Sequence, residues 1–209
     1  MFSSLLPHLS ASFPGLGEDD SLDSGSFDQD SLEEIEDLDL MPQASRDALK
    51  RLGVTVGASL KALAACSSAL SAPKGASIQP NDESRFAAAR DALTSESRQF
   101  VTASKLFVKS ATESEETLLG CLQTCMTLLT RMVELTQALA QATATPQHTL
   151  TVVSRVGDVA SAYQGTVRAA LGAAGKGMEH PAMNALMAQA TSLAGVLTAL
   201  MRTLRVFSP

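Results

Sequence analysis

Residues 86–107 read FAAARDALTSESRQFVTASKLF, and this stretch decides the fold. Phe86, Leu93, Phe100 and Phe107 recur at intervals of seven residues. In a helix of 3.6 residues per turn, positions seven apart lie on the same face, whereas a strand would alternate apolar and polar residues. The stretch therefore predicts an amphipathic α-helix that buries its aromatic face against other helices.

The same periodicity recurs on both sides of this stretch and predicts five long helices. The expected buried positions of the other four are Leu49, Val56, Leu63 and Leu70; Leu118, Leu122, Cys125, Leu129, Met132 and Leu139; Val153, Val156, Ala160, Tyr163, Val167 and Leu171; and Met183, Leu186, Ala190, Leu193, Leu197, Leu200 and Leu204. Long helices with short connections pack as antiparallel neighbours. The predicted fold is an all-α antiparallel bundle over residues 44–206.

Residues at the breaks between these segments predict where three helices begin. Thr112 and Glu115 form a Thr-x-x-Glu capping box, which is typical of the first turn of a helix. Thr145 precedes Pro146, and proline is favoured at the first helical position. His180 followed by Pro181 predicts the start of the fifth helix in the same way.

Composition agrees with a helical fold. The chain has 209 residues, of which 45% are hydrophobic but only 4% aromatic, with no Trp and one Tyr. Strands favour aromatic and β-branched residues, whereas Ala and Leu favour helices. A β-sandwich or β-barrel is therefore disfavoured.

Charge is divided unevenly between residues 1–43 and the rest. The first 43 residues contain eleven acids and no Lys or Arg, so the remaining 11 acids and all 16 basic residues fall in the bundle. A segment so acidic and polar cannot bury enough apolar surface to fold alone, which predicts a disordered acidic tail. Its opposite charge allows docking on the bundle, and a solvated leader is the alternative.

One part of the tail combines acids with apolar residues. These apolar residues are Leu32, Ile35, Leu38, Leu40 and Met41. Such a segment can dock as a short amphipathic helix in a partner's groove, although an incidental linker is the alternative. Ser31, with Glu33 and Glu34 two and three residues after it, is a candidate site for an acidophilic kinase.

The sequence predicts a protein without a transmembrane segment. Its predicted location is the cytoplasm, with the cell cortex or adhesions as possible sites within it. The N-terminus lacks a basic region, and Pro7 interrupts its apolar run. The most apolar stretch, Ala182–Met201, contains Asn184, Gln189 and several hydroxyl residues. It is interpreted as a buried helix rather than a membrane span.

Residue patterns for catalysis or cofactor binding are missing, so the chain is not expected to be an enzyme or to hold a cofactor or metal. His8, His148 and His180 are far apart, and no phosphate-binding loop is present. Cys121 and Cys125 share a helical face and could take part in a zinc site. Buried reduced thiols are the preferred interpretation because leucines surround them.

Two groups of basic residues are the candidate partner-binding sites. They are Arg98, Lys105 and Lys109 on the second helix, and Arg46, Lys50 and Arg51 at the start of the first. Aromatic residues are not interleaved with them, so nucleic acid is not an expected partner. They could meet an acidic protein, F-actin, anionic lipid or the chain's own tail, and a solvated helix face is the alternative.

Residues 97–110, SRQFVTASKLFVKS, and the Thr-spaced third helix from Thr117 to Thr143 resemble helical-bundle modules of adhesion scaffolds. These modules are of the talin rod, vinculin and focal-adhesion-targeting type, and the resemblance covers residues 44–206. It implies a non-catalytic scaffold or adaptor that binds helical or extended peptides through helix grooves, linked to the cytoskeleton or to adhesion signalling. The alternative function is binding of actin or an anionic membrane surface through a basic helix face.

Overall fold

A computed structural model describes residues 41–72 and 83–206 of the chain, and within these ranges it contains helices and no strand. The helices are α1 (Gln43–Ser71), α2 (Glu83–Ser110), α3 (Glu115–Ala142), α4 (Pro146–Ala173) and α5 (Pro181–Val206). The predicted all-α antiparallel bundle of five long helices is confirmed.

The helices surround a single core. α2 packs extensively on α3, and α4 on α5, while α1 lies against both α3 and α4. α2 and α5 close the ring, but they make only a limited contact with each other. Successive helices alternate in direction, so α2 and α5 are antiparallel.

Three of the four heptad positions of α2 lie in the buried core, as predicted, and Phe86 is half-buried against it. Leu93, Phe100 and Phe107 are fully buried. Both phenylalanines meet Tyr163 of α4 edge to face, with ring centroids 5.3 Å apart for Phe100 and 5.8 Å apart for Phe107. Edge-to-face pairs add to the free energy of burial. This aromatic cluster therefore joins α2 to α4.

The beginnings of α3, α4 and α5 test the predicted capping residues. The prediction that Thr112 caps α3 is wrong. The hydroxyl of Thr112 instead donates to the carbonyl of Lys109 in the preceding helix, 2.9 Å away. Ser114 caps α3 instead, and its side chain accepts a hydrogen bond from the backbone N–H of Thr117 at 3.2 Å. The predicted starts of α4 at Pro146 and of α5 at Pro181 are confirmed.

Three helices correct the prediction about membranes. α1, α3 and α5 are 29, 28 and 26 residues long, and each contains an 18-residue window apolar enough to cross a membrane by length and composition. A helix of 26 residues spans about 39 Å, which exceeds the roughly 30 Å of a hydrocarbon core. The prediction that the chain has no transmembrane segment is contradicted, and so is the cytoplasmic location that depended on it.

The membrane prediction was wrong because it required an apolar run without polar interruptions. Alanine, glycine, serine and threonine reduce the apolar character of a window only slightly, whereas charged residues reduce it strongly. The selected window of α5 is only 28% buried and that of α1 only 22% buried. Most of the large apolar side chains of these two helices nevertheless lie in or against the core, so the unburied part of each window consists mainly of small residues.

Candidate functional site

A groove of about 760 Å³ runs between α2 and α5, where these two helices make only limited contact. Its lining residues are Arg98, Val101, Ser104, Lys105 and Val108 of α2, and Ala190, Leu193, Ala194, Leu197, Thr198, Met201, Arg202 and Arg205 of α5. Each helix contributes residues three or four positions apart, which is the spacing of one helical face. The groove is therefore bounded by one continuous stripe of each helix.

The floor of the groove is apolar. Leu193 and Leu197 of α5 are buried, and Val101 and Val108 of α2 are half-buried. The hydroxyl of Ser104, also in the floor, donates to the carbonyl of Val101 at 3.1 Å. Because that hydroxyl is already hydrogen-bonded, the floor demands no polar partner from an occupant.

The rim of the groove is basic. Arg98 and Lys105 of α2 and Arg202 and Arg205 of α5 are exposed, and no acidic residue lines the groove. None of these four cations forms an ion pair with another residue of the part of the chain that the structure describes. Four positive charges around one apolar floor create a positive potential that attracts anionic groups.

Packing beneath the groove holds its two walls in place. Phe100 and Phe107 point from α2 into the aromatic cluster with Tyr163, and the adjacent face of α2 carries Val101, Lys105 and Val108. Leu193 and Leu197 bury the inner face of α5 in the same core. The groove is therefore built on two long helices whose inner faces are fixed.

Of the basic residues predicted on α2, the structure places Arg98 and Lys105 at the groove. Lys109 does not line it, and its ammonium group instead pairs with Glu113 at 3.5 Å. Sequence reasoning missed Arg202 and Arg205, which come from a helix about 100 residues further along the chain. Their spacing of three residues near the end of α5 was visible, but nothing in the sequence placed them beside α2.

The second predicted basic group lies on a different helix. Lys50 and Arg51 are exposed on α1, which packs against α3 and α4 and contributes no residue to the groove. Arg46 is half-buried, and its Nε is buried without a hydrogen-bond partner among the described residues. The structure therefore does not join these three residues to the α2/α5 groove.

Most of the predicted tail segment lies outside the described residues. This applies to Ser31, Leu32, Ile35, Leu38 and Leu40. Met41 is described, and it is half-buried against the core at the end of the bundle, beside a second cavity of about 330 Å³. Met41 is thus part of the bundle rather than of a free docking segment.

Burial affects the thiols of Cys125 and Cys66. Burial raises the pKa of Cys125 to about 11, and burial also raises the pKa of Cys66. Tyr163 lies beside Cys125, and burial raises its pKa well above its ordinary value. Since the thiolate is the reactive form, Cys125 is a poor nucleophile.

The positions of the cysteines bear on the prediction of buried reduced thiols and on its alternative, a zinc site. All three cysteines are free thiols, with Cys125 buried and Cys121 and Cys66 half-buried. Within residues 41–72 and 83–206, no group of three or more His, Cys, Asp or Glu side chains could hold a metal ion. Cys121 and Cys125 therefore have no third ligand in this part of the chain.

No model of a known protein family matches the chain, and a comparison with curated proteins finds no match either. The resemblance to adhesion-scaffold bundles therefore stays a prediction.

Proposed function

We propose that this chain is a protein-interaction module, a scaffold or adaptor, whose α2/α5 groove binds an amphipathic helix of a partner protein. The observation that carries this proposal is the apolar lining of the groove where α2 and α5 separate: Val101, Val108 and Met201 are half-buried and Ala194 is exposed, above the buried Leu193 and Leu197. Apolar surface between two helices is stabilised when a further helix covers it.

The dimensions of the groove favour a helix as its occupant. From Ala190 to Arg205 the α5 wall extends about 22 Å at 1.5 Å per residue, which matches roughly four turns of helix. The stripes on both walls are spaced as in other helix interfaces, where ridges of one helix fill the grooves of the next. An extended peptide would leave its own backbone hydrogen-bonding groups unpaired against an apolar floor.

The polar groups of the groove support binding rather than catalysis. The two hydroxyl residues that line it are Ser104 and Thr198, and each donates its hydroxyl to a backbone carbonyl of its own helix. The charged residues at the rim are cations only. A nucleophile paired with a general base, as hydrolytic chemistry requires, is not among the lining residues.

The alternative, binding of actin or an anionic surface through a basic helix face, receives less support. Such a face would need adjacent exposed cations along α2, but Lys109 is paired with Glu113. Arg98 and Lys105 border an apolar groove instead of forming a flat basic surface. Their position suits a ligand that offers both apolar and acidic groups.

Site-specific photo-crosslinking in cells tests the proposal. A photoreactive amino acid at Thr198, which lines the groove, should capture a discrete partner protein, and the same group at the exposed Ala65 of α1 should not. Adding Ala194→Trp should abolish the capture, because an indole at this exposed position covers the floor. Capture that is equal from both positions, or unaffected by Ala194→Trp, would contradict the proposal.

A matched control separates blocking from misfolding. Ala65→Trp places the same bulky side chain at an exposed position on α1, away from the groove. Both variants should keep the helical circular dichroism and the unfolding midpoint of the parent chain. Only Ala194→Trp should reduce capture at Thr198.

A further inference from the structure

We infer that the partner helix is acidic towards one end, and that this acidic end lies beside the C-terminal end of α5. This inference rests on the proposed function, and it specifies both the chemical class and the direction of the ligand. It follows from how the four cations of the rim are distributed along the groove.

The cations are concentrated at one end of the groove. Because α2 and α5 are antiparallel, Arg98 at one end of the α2 wall lies level with the last turns of α5, where Arg202 and Arg205 stand three residues apart. Lys105 follows Arg98 by seven residues, or about 10 Å along the helix. Three of the four cations therefore share one end, and the fourth, Lys105, lies one turn before Val108.

The other end of the groove carries fewer cations. Val108 of α2 lines this end, and in the antiparallel arrangement the lining residues nearest the start of α5, Ala190 and Ala194, lie towards it. Lys105, one turn before Val108, is the cation nearest to this end among the lining residues, and Lys109 pairs with Glu113 at 3.5 Å. An acidic residue of the ligand would therefore meet one cation here instead of three, while an apolar residue would be buried favourably.

The two ends together select one kind of helix and one direction. An occupant with carboxylates at one end and apolar residues along one face meets Arg98, Arg202 and Arg205 with its acids and covers the apolar floor with the rest. The reversed helix would place its acids near Val108, where Lys105 is the nearest lining cation, and would leave Arg98, Arg202 and Arg205 uncompensated. A basic helix would be repelled at the Arg98 end in either direction.

Binding of three synthetic peptides to the full chain tests this inference. The peptides are amphipathic helices of about 15 residues with the same leucine stripe, carrying glutamate, glutamine or lysine at one end. Fluorescence anisotropy should show the glutamate peptide binding at least about tenfold more tightly than the glutamine peptide, and the lysine peptide more weakly still. Equal affinities for all three would overturn the inference.

Charge reversal assigns the effect to the groove. The double substitution Arg98→Glu with Arg202→Glu should weaken the glutamate peptide about tenfold or more and remove its preference over the glutamine peptide. The matched control reverses two exposed cations of α1, Lys50→Glu with Arg51→Glu, and should leave affinity within about twofold. Equal losses in the two double variants would overturn the inference, since they would indicate a general effect of net charge.

A spin label on the acidic end of the glutamate peptide tests direction. It should broaden the amide signals of Arg202 and Arg205 more than that of Ala190, and the opposite order would overturn the inference. A glutamine peptide that binds the groove as tightly as the glutamate peptide would contradict the inference of an acidic partner but not the proposed function. If a photoreactive group at Thr198 captures no partner protein, both the inference and the proposed function are contradicted.

The chain's own acidic residues offer one competing occupant. Treatment of the chain alone with a carbodiimide joins a lysine to a carboxylate that touches it. Cross-links from Lys105 to Glu36, Asp37 or Asp39 in dilute protein would show the groove filled by its own chain, and this would overturn the inference of a separate partner. No such cross-link is expected.

Discussion

Replacing Gly157 by alanine should stabilise the bundle. Gly157 lies within α4, and its interior position costs helix stability, since glycine is about 0.8–1.0 kcal/mol less favourable than alanine in a helix. A Cβ added there would lie 3.9 Å from Cδ2 of Leu60 and 4.0 Å from Cδ1 of Leu63, both on α1. These are ordinary van der Waals distances, so the methyl group fits without displacing α1.

The magnitude follows from these two contributions. Helix propensity contributes about 0.9 kcal/mol, and partial burial of one methyl group between α4 and α1 contributes roughly a further 0.4 kcal/mol. The free energy of unfolding should therefore rise by about 1.3 kcal/mol. In a bundle of this size, the unfolding midpoint should rise by roughly 3–5 °C.

Gly165→Ala is the matched comparison on the same helix. A Cβ at Gly165 would lie 2.7 Å from Oε1 of Gln189 on α5, so the end of that side chain must move. Gln189 is exposed and can move, but the adjustment should remove part of the same propensity gain. We expect a smaller stabilisation for Gly165→Ala than for Gly157→Ala.

Urea unfolding followed by circular dichroism measures both variants. The midpoint should shift upward with little change in the denaturant slope, because the surface exposed on unfolding is nearly the same. A lower midpoint for Gly157→Ala would refute the packing of α1 on α4 described above. A larger gain at Gly165 than at Gly157 would contradict the order derived from the Cβ distances.

Two further predictions concern the start of α3 and the buried pair on α3 and α4. Ser114→Ala should lower the free energy of unfolding by about 1 kcal/mol in urea titrations because it removes the N-cap, whereas Thr112→Ala should cost less than about 0.5 kcal/mol; the reverse order would restore Thr112 as the cap. Stability should also fall as the pH rises from 9 to 11, since burial raises the pKa of Cys125 from its ordinary 9.0 to about 11 and the unfolded thiol ionises first. Urea midpoints across this range should record a loss on the order of 2 kcal/mol, with Tyr163 adding to it at the alkaline end because its pKa is also raised. Cys125→Ala should make the pH dependence shallower, and an unchanged slope would show that the thiol is not its source.

The number and the buried faces of the helices could be predicted from the sequence because helix periodicity is a local property. The seven-residue spacing of Leu93, Phe100 and Phe107 specifies one face whatever the rest of the chain does, and that face is buried. Helix starts were predicted less well. Thr112 and Ser114 both suit a capping position. The choice depends on where α2 ends, because the hydroxyl of Thr112 donates to the carbonyl of Lys109 in the last turn of α2 and leaves Ser114 to cap α3.

Only part of the candidate site could be predicted in this way. Arg98 and Lys105 were identified from their spacing, because residues seven apart on one helix share a face. Lys109 was grouped with them by the same reasoning, but its pairing with Glu113 depends on the chain just beyond the helix. The membrane prediction failed for a related reason, since it weighed single polar residues instead of the whole length of each helix.

The sequence by itself determined five amphipathic helices, their apolar faces and the separation of acidic from basic segments. Tertiary structure alone decided that α2 and α5 stand side by side with an apolar gap between them, which brings Arg202 and Arg205 to Arg98. Local periodicity depends on residues within two turns of one another. The groove depends on how five faces share one core, and that choice is made by packing between helices about 100 residues apart in the chain.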